Sequence, residues 1–524
     1  MRPLRPLLYG SALYHLALWR PAPRAIALRL GTPWPGDKER GAAILSGVFS
    51  FAGETVQSAT PPWDADRPEA WRAALHGFQW LADLAALGGP AAAKKAQQST
   101  FDWLQRYDIY DRLAWRADVT GDRLYAWLEH FDLISANERD RSALAASIAQ
   151  QARHLARVAA REGTGLQRLR ALRGLIAAES ALGARRGLAR AVRQLGHELH
   201  RQILADGGHR GRSPAAQLMA LRCMIDAQTA LAAAGLPAPE ALAQAVERAG
   251  PMLRFFRHGD GRFALFNGAD AGDAAMADLV LARAGAKGRT PLSAPDIGFE
   301  RLQAGGTLLL FDCGDPPPSG FDLDAHAGAL AFELSHHRER IIVNCGAYHG
   351  PAAEWRMAMR ATAAHSTLVV ADTNSAELRD DGTLARGPHV THRRAEQDGN
   401  LLAAATHDGY RAGFGLVHER QLFLSADGDD IRGEDTLTGT AGSGFAIRFH
   451  LHPGAEAALE PAEKTVLIRL AGGDGWRFRA DGAVLSLGES IYLGDGSMQK
   501  TQQIVLDGHV GSNGAAVRWA IRRA

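Results

Sequence analysis

The chain has 524 residues, which predicts two or three domains, because a single hydrophobic core rarely serves more than about 250 to 300 residues. Hydrophobic residues make up 46% and charged residues 22%, a globular composition that excludes a largely disordered or fibrous chain. The formal net charge is only +2, so no overall field would attract a polyanion, and we expect no nucleic-acid partner.

The first twenty residues have the charge order of a secretory leader, with a basic start followed by an apolar run over residues 7–19. Tyr9 and His15 interrupt that run, and no small-residue cleavage site follows it. We therefore expect a cytoplasmic protein, with a periplasmic one as the alternative. No later stretch reaches the roughly 18 to 20 apolar residues of a membrane span, so none is expected.

Before about residue 290 the sequence is rich in Ala, Leu and Arg at helical spacing. Leu144, Ile148, Ala152 and Leu155, for example, fall on one face of an amphipathic helix. Gly and Pro breaks at 88–90, 163, 183, 206–208, 235–237 and 250–251 divide the region into segments of helix-hairpin length. This pattern predicts a helical domain of paired helices over residues 1–290.

From residue 291 onward the pattern changes to short β-type runs. They include residues 307–311, 340–343 and 445–450, and Asp-Gly pairs at 381–382, 408–409 and 427–428 fit the turns between them. Closely spaced strands without intervening helices predict an antiparallel sandwich over residues 291–524.

Unusual polar residues are densest between positions 311 and 377. Residues 326–334 read HAGALAFEL, residues 341–348 read IIVNCGAY, and residues 355–367 read WRMAMRATAAHST. These segments resemble the sandwich motifs of heparinase II/III-like polysaccharide lyases. Weaker helical landmarks of the same family match residues 71–81, 115–131 and 202–214.

The resemblance implies an α+β multidomain fold, with an N-terminal (α/α) toroid followed by a C-terminal antiparallel β-sandwich. It also implies β-elimination on a uronate-containing, acidic polysaccharide or oligosaccharide. In this family two sandwich histidines and an aspartate often hold a structural metal, so a zinc ion is expected at His326, His365 and Asn344, with no other cofactor required. Asn344 replaces the family's aspartate, and an amide binds zinc less readily than a carboxylate.

Eliminating a uronate requires a cation at the C6 carboxylate, a base for the C5 proton and an acid for the leaving oxygen. The candidate catalytic residues are His326, His209 and Tyr348. Arginine can donate two parallel hydrogen bonds to one carboxylate, and aromatic side chains can stack on sugars. The substrate-binding candidates are Arg212, Arg356, Arg360, His76, Arg123 and Trp127.

Two other functions stay open. The family's Ser-Pro-x-Tyr segment appears here as residues 213–216 with Ala216, and its Asn-His pair appears as Thr164-Gly165. These departures favour a non-catalytic glycan-binding or cell-envelope polysaccharide assembly protein. A hydrolase would instead pair Asp206 with Asp322 or Asp324.

Structural roles compete with the functional ones for several side chains. His326 could be a hydrogen-bonded core histidine on a strand that continues through Phe332. Glu333 is expected to form an ion pair with Arg338 or Arg340, because it should lie on the opposite strand face from His326.

Overall fold

A computed structural model of the chain describes residues 9–19, 26, 28–460 and 464–524. The chain forms two compact units. The helical unit contains residues 1–201, 220–246 and 349–351, and the sandwich unit contains residues 202–219, 247–348 and 352–524. Along the chain, helices give way to strands between Arg283 and Ser293. Residues 202–219 and 247–290 precede that change but pack within the sandwich unit.

Short and medium helices dominate the N-terminal part of the chain. They are α1 (Ala12–Leu18), α2 (Lys38–Leu45), α3 (Glu69–His76), α4 (Leu81–Leu87), α5 (Gly89–Tyr107), α6 (Ala117–Glu129), α7 (Phe131–Ile134), α8 (Glu138–Val158), α9 (Leu166–Ala181), α10 (Arg185–Gln202), α11 (Pro214–Ala233), α12 (Glu240–Phe255) and α13 (Ala274–Arg283). One hairpin, β1 (Val48–Phe51) with β2 (Glu54–Gln57), lies among them.

Helix α8 shows why these segments are helical. Its predicted apolar face is confirmed, because Leu144, Ile148, Ala152 and Leu155 are all buried. The Asn137 side chain accepts a hydrogen bond from the backbone N–H of Asp140 and so satisfies a free amide of the first turn.

Two glycines let α6 and α9 pack backbone against backbone. A Cβ atom added to Gly174 would lie 2.1 Å from the carbonyl oxygen of Gly121. A Cβ atom on Gly121 would lie 2.4 Å from the carbonyl oxygen of Arg170. Any side chain at either position would therefore separate the helices.

Helix α12 corrects one sequence expectation. The Gly250-Pro251 pair was predicted to separate two helical segments, yet Pro251 lies inside the helix. Proline removes one backbone donor but does not prevent a helix that is stabilised by packing, and Leu253 and Phe255 beyond it are fully buried.

Two large antiparallel sheets form the sandwich unit. Their strands are β3 (Ser293–Ala294), β4 (Phe299–Ala304), β5 (Thr307–Asp312), β6 (Phe332–His336), β7 (Glu339–Val343), β8 (Leu368–Val370), β11 (Val390–Gln397), β12 (Asn400–His407), β13 (Leu416–Leu424), β14 (Asp430–Gly439), β15 (Gly444–Leu451), β16 (Ala455–Glu460), β17 (Thr465–Leu470), β18 (Gly475–Asp481), β19 (Val484–Tyr492), β20 (Gln499–His509) and β21 (Ala515–Arg523). A separate small hairpin contains β9 (Glu377–Leu378) and β10 (Leu384–Arg386).

The nine-stranded sheet has the order β19-β20-β15-β7-β6-β5-β4-β3, with β8 also paired to β15. The eight-stranded sheet has the order β11-β12-β13-β14-β21-β18-β17-β16. Phe332 from β6 stacks on Trp519 from β21 at 5.5 Å between ring centroids, so the two sheets share one core. Strand β13 alternates between buried and half-buried residues along its length, as a strand with one core face must.

Two predicted turns lie where expected, and one connection is longer. Asp381-Gly382 joins β9 to β10, and Asp427-Gly428 joins β13 to β14. After Asp408-Gly409 the chain forms the helical turn α15 (Arg411–Phe414) before β13 begins. One further helix, α14 (Ala353–Arg360), connects β7 to β8.

A helix able to cross a bilayer, long and apolar enough at once, does not occur among the described residues. The charged start of the leader-like segment, residues 1–8, lies outside the described residues, whereas part of its apolar run forms α1.

Candidate functional site

Two of the predicted site histidines lie side by side in the sandwich unit. Nδ1 of His326 is 3.0 Å from Nε2 of His365, and the ring planes are 79° apart. The backbone N–H of Gly268 donates to Nε2 of His326 at 3.1 Å, so that nitrogen carries a lone pair and Nδ1 carries the proton. Nε2 of His365 accepts a hydrogen bond from this N–H group, and the Nδ1–H group of His365 donates to the carbonyl oxygen of Ala361 at 2.8 Å. Both rings are therefore neutral, with their tautomers set by hydrogen bonds.

Burial favours the neutral form of His365. His365 is 2% exposed, and burial lowers its pKa to about 4. His326 is 7% exposed and lies in the loop before β6, which corrects the expectation that it belongs to the strand. The histidine pair therefore joins two loops inside the sandwich unit.

Asn267 joins the histidine pair to Arg212, and sequence reasoning missed it. Its side-chain oxygen accepts the backbone N–H of His326 at 3.1 Å, and its amide donates to the carbonyl oxygen of Arg212 at 2.9 Å. Asn267 has a φ of 46°, in the left-handed region, which asparagine tolerates better than most residues. The Asn267-Gly268 pair was a turn signal in the sequence, but nothing there indicated its partners.

His209 is also enclosed. Its Nδ1 accepts the backbone N–H of Gly211 at 3.1 Å, so its Nε2–H donates to the side-chain oxygen of Gln202 at 3.2 Å. The backbone N–H of His209 donates to the Gln217 side chain. Burial, assisted by the charge of Arg210, lowers the pKa of His209 to about 4. The imidazole ring of His209 therefore stabilises the turn that includes Gly211.

Arg212 forms a buried ion pair. Its Nη2 lies 2.5 Å from Oδ1 of Asp312, and both side chains are 7% exposed. The guanidinium also donates to the carbonyl oxygens of Ile297 and Gly298, at 2.6 Å and 3.0 Å. The charge of Arg212, which the sequence predicted to bind the substrate, is therefore balanced within the protein.

The two arginines of α14 differ in exposure. Arg360 is 3% exposed and donates to the carbonyl oxygens of Ala325 and Gly382, at 2.8 Å and 2.7 Å. Arg356 is exposed on the same helix. Tyr348 is half-buried, with its ring 6.4 Å from that of Trp355. Of the predicted site residues, Arg356 and Tyr348 are the two that solvent reaches readily.

Asn344 and Glu333 belong to a buried polar network. Glu333 accepts hydrogen bonds from Nε2 of His258, the backbone N–H of Leu265, and both the backbone and side-chain N–H groups of Asn344. Burial opposes ionisation of Glu333, but the hydrogen bond and charge of His258, the charge of Arg340 and the backbone N–H of Asn344 together outweigh it and lower the pKa of the carboxyl. The predicted pairing with Arg338 or Arg340 was wrong, because His258, distant in sequence, occupies that position.

The residues expected to hold zinc do not fit a metal ion. The lone pair of His326 Nε2 is used by Gly268, and that of His365 Nε2 by His326. The side-chain oxygen of Asn344 accepts the backbone N–H of Ser366 at 3.0 Å. A metal would have to displace all three bonds and would gain only a neutral amide in place of a carboxylate.

The three substrate-binding candidates of the helical unit are core residues. His76 is 2% exposed, and Arg123 and Trp127 are fully buried. The Arg123 guanidinium lies 4.1 Å from the ring of Trp103, whose Nε1–H donates to Nδ1 of His76 at 3.0 Å. Burial lowers the pKa of Arg123 to about 9. These side chains, which the sequence predicted to bind the substrate, therefore pack against one another inside the helical unit.

Two of the carboxylates proposed for a hydrolase accept hydrogen bonds from backbone N–H groups. Asp206 accepts the backbone N–H groups of Gly208 and Ile297, at 2.9 Å and 3.0 Å. Asp322 accepts those of Gly320 and Leu384, at 2.9 Å and 3.0 Å. Each carboxyl accepts one backbone N–H nearby in the chain and one distant in the chain, which disfavours a paired acid and base.

Comparison with known proteins agrees with this geometry. The agreement concerns the family and the fold: residues 286–520 match the family described as heparinase II/III-like, C-terminal. The protein called FtsZ-localized protein C from Caulobacter vibrioides is 32% identical over 544 aligned residues, which cover 98% of this chain and 93% of the relative. The chain belongs to the heparinase II/III-like family. As a divergent member it combines the family's sandwich motifs with an amide at position 344.

Solved structures show the fold of this family member. A crystal structure of heparinase III matches all of the chain and 91% of its own length, with a TM-score of 0.76 and 14% identity. Streptomyces coelicolor A3 chondroitin AC lyase matches 98% of the chain and 80% of its own length, with a TM-score of 0.57 and 13% identity. The predicted α+β fold, an N-terminal toroid followed by an antiparallel β-sandwich, is confirmed.

Proposed function

We propose that this protein is a non-eliminating heparinase II/III-like protein that acts in cell-envelope polysaccharide assembly where FtsZ localises. The observation that carries the proposal is the hydrogen bonding of the three buried histidines. Each ring nitrogen of His209, His326 and His365 is already in a hydrogen bond within the protein. A general base must instead reach the proton that it removes from the substrate.

The arginine positions support the same proposal. Neutralising a uronate carboxylate requires a cation with free donors that face the substrate. Arg212 is balanced by Asp312, and Arg360 is held by two backbone carbonyls. These two arginines therefore stabilise the protein itself, and among the predicted arginines of the sandwich unit Arg356 is the exposed one.

The cellular placement is supported by the relative. FtsZ-localized protein C aligns with nearly the whole chain, so the similarity includes both the helical and the strand-rich parts. A protein that retains the scaffold of glycan-cleaving enzymes, but whose three candidate histidines are buried in internal hydrogen bonds, fits recognition of an envelope glycan better than its cleavage.

Elimination of an acidic glycan is the competing function, because the solved structures that share this fold are lyases. An absorbance assay for the unsaturated uronate product separates the two. Purified full-length protein is incubated with heparan sulfate, chondroitin sulfate, alginate and hyaluronan, with heparinase III as the positive control on heparan sulfate. We expect a flat trace. A rise in absorbance that is lost in His326→Ala would overturn the proposal.

Binding and localisation complete the test. A glycan array should detect binding by the wild-type protein that His326→Ala leaves unchanged, since a recognition surface does not use that buried ring. A fluorescent fusion in the native bacterium should co-localise with FtsZ. Diffuse fluorescence throughout the cell, together with no retention on immobilised FtsZ, would contradict the cellular part of the proposal.

A further inference from the structure

A second group of ligand-type side chains lies in the sandwich unit, away from the histidine pair in sequence. Glu300 is on β4, Cys313 directly follows β5, and His392 is on β11. One carboxylate oxygen, the Sγ atom and one imidazole nitrogen all lie within 4.8 Å of one another. Glu300 and Cys313 are buried, and the His392 side chain is 23% exposed.

We propose that Glu300, Cys313 and His392 bind a zinc ion that joins the two sheets of the sandwich. A thiolate, an imidazole and a carboxylate form a mixed ligand set typical of zinc. Calcium and magnesium select oxygen ligands and would reject the sulfur atom. Three protein ligands leave the fourth tetrahedral position for water or for the hydroxyl of Ser293.

The two oxygens of Glu300 have different partners, an arrangement that suits a carboxylate binding a metal through one oxygen. Arg394 donates from Nη1 to Oε2 at 3.0 Å, and it is itself anchored on the carbonyl oxygens of Leu292 and Arg301. Oε1 faces Nε2 of His392 at 3.8 Å and accepts the Ser293 hydroxyl at 2.7 Å. The arginine orients the carboxylate from outside, and the other oxygen is directed at the ligand cluster.

The three ligand atoms, which lie within 4.8 Å of one another, are up to about one ångström farther apart than in an occupied zinc site. Ligand atoms around a tetrahedral zinc ion lie about 3.3 to 3.8 Å apart, given bonds of about 2.0 to 2.3 Å. His392 lies on the edge strand of the eight-stranded sheet and is the most exposed of the three. Zinc binding would require the three ligand atoms to draw closer together, and the His392 side chain, as the most exposed of the three, has the most freedom to move.

The consequence of binding is a cross-link between sheets. Strands β4 and β5 belong to the nine-stranded sheet, and β11 is the edge of the eight-stranded one. Since the ligands come together only in the folded chain, the free energy of metal binding adds to that of folding. This site is independent of the proposed function and of the family's metal position.

The test uses untagged full-length protein, stripped with a chelator and titrated with zinc chloride. We expect one zinc per chain by elemental analysis, a dissociation constant below about 1 µM and a rise in Tm of several degrees. His392→Gln and Cys313→Ser should each weaken binding by at least about 100-fold. The matched controls His389→Gln, three residues away on an exposed side chain, and Cys345→Ser, another buried thiol, should bind as the wild type does.

Cobalt provides a readout that does not depend on stability. Stripped protein loaded with Co²⁺ should show a thiolate-to-cobalt absorption band, and a folded His392→Gln protein should lose the tetrahedral visible bands. If Cys313→Ser fails to fold, this spectrum and His392→Gln still decide the question. Equal zinc binding in His392→Gln and wild type, or binding that is lost only in His365→Ala, would overturn the proposal.

Discussion

His326 and His365 are joined by a single hydrogen bond of 3.0 Å from Nδ1 of the first to Nε2 of the second. Replacing His365 by alanine leaves the buried N–H of His326 without its acceptor. An unsatisfied buried donor costs about 1 to 3 kcal/mol, and the cavity adds to that loss. We expect urea unfolding of His365→Ala to show a stability decrease of this size. His349→Ala, at an exposed position, should change stability by less than about 0.5 kcal/mol.

Asp312→Asn should be more destabilising, because it leaves the charge of Arg212 buried without its counterion. Breaking a buried pair by changing one partner typically costs about 3 to 5 kcal/mol. The matched control is Asp132→Asn in the exposed pair with Arg29, whose side chains are 55% and 48% exposed. That change should cost less than about 1 kcal/mol. Similar losses for both variants in denaturant titrations would contradict the burial argument.

Gly174→Ala and Gly196→Ala should change stability in opposite directions, although both glycines lie inside helices. An added Cβ at Gly174 meets the Gly121 backbone at 2.1 Å, so overpacking should cost about 1 to 3 kcal/mol. An added Cβ at Gly196, in α10, would meet none of the described atoms within 4 Å apart from the adjoining backbone of its own helix. Alanine there should stabilise the chain by up to about 1 kcal/mol. Thermal melting of the two variants measures both signs.

Acid should destabilise the helical unit through His154. The Tyr14 hydroxyl donates to its Nδ1 at 2.8 Å, and its Nε2–H donates to the carbonyl oxygen of Trp115 at 3.0 Å. Burial lowers its pKa to about 4, whereas in the unfolded chain it is about 6.5. Between these values the unfolded state binds a proton that the folded state does not, so stability falls as pH decreases from 6.5 towards 4.

The size of that loss follows from the pKa difference. At pH 4.5 His154 alone should cost roughly 2 to 3 kcal/mol relative to pH 7. His154→Gln, which keeps a donor and an acceptor but does not titrate, should show a shallower dependence of unfolding free energy on pH. A histidine signal that titrates near pH 6.5 in the folded protein by NMR would contradict this prediction.

Much of the fold could be predicted from local sequence patterns. The helical period of α8 and the short apolar runs of β5, β7 and β15 depend on residues close together in the chain, and each is confirmed. Pro251 was misread because tertiary packing overrides a local helix-breaking preference. The sandwich motifs were specific enough to indicate the family, since they extend over three consecutive segments.

By itself, the sequence determined the order of helices and strands, the fold class and the family, because periodicity and short motifs encode them locally. Only the tertiary structure decided which side chains are available for chemistry. His326 is satisfied by Gly268, Arg212 is balanced by Asp312, and Arg123 is buried against Trp103. Burial and hydrogen-bond partners depend on groups distant in the chain, so the sequence could not show that these three side chains are engaged inside the protein.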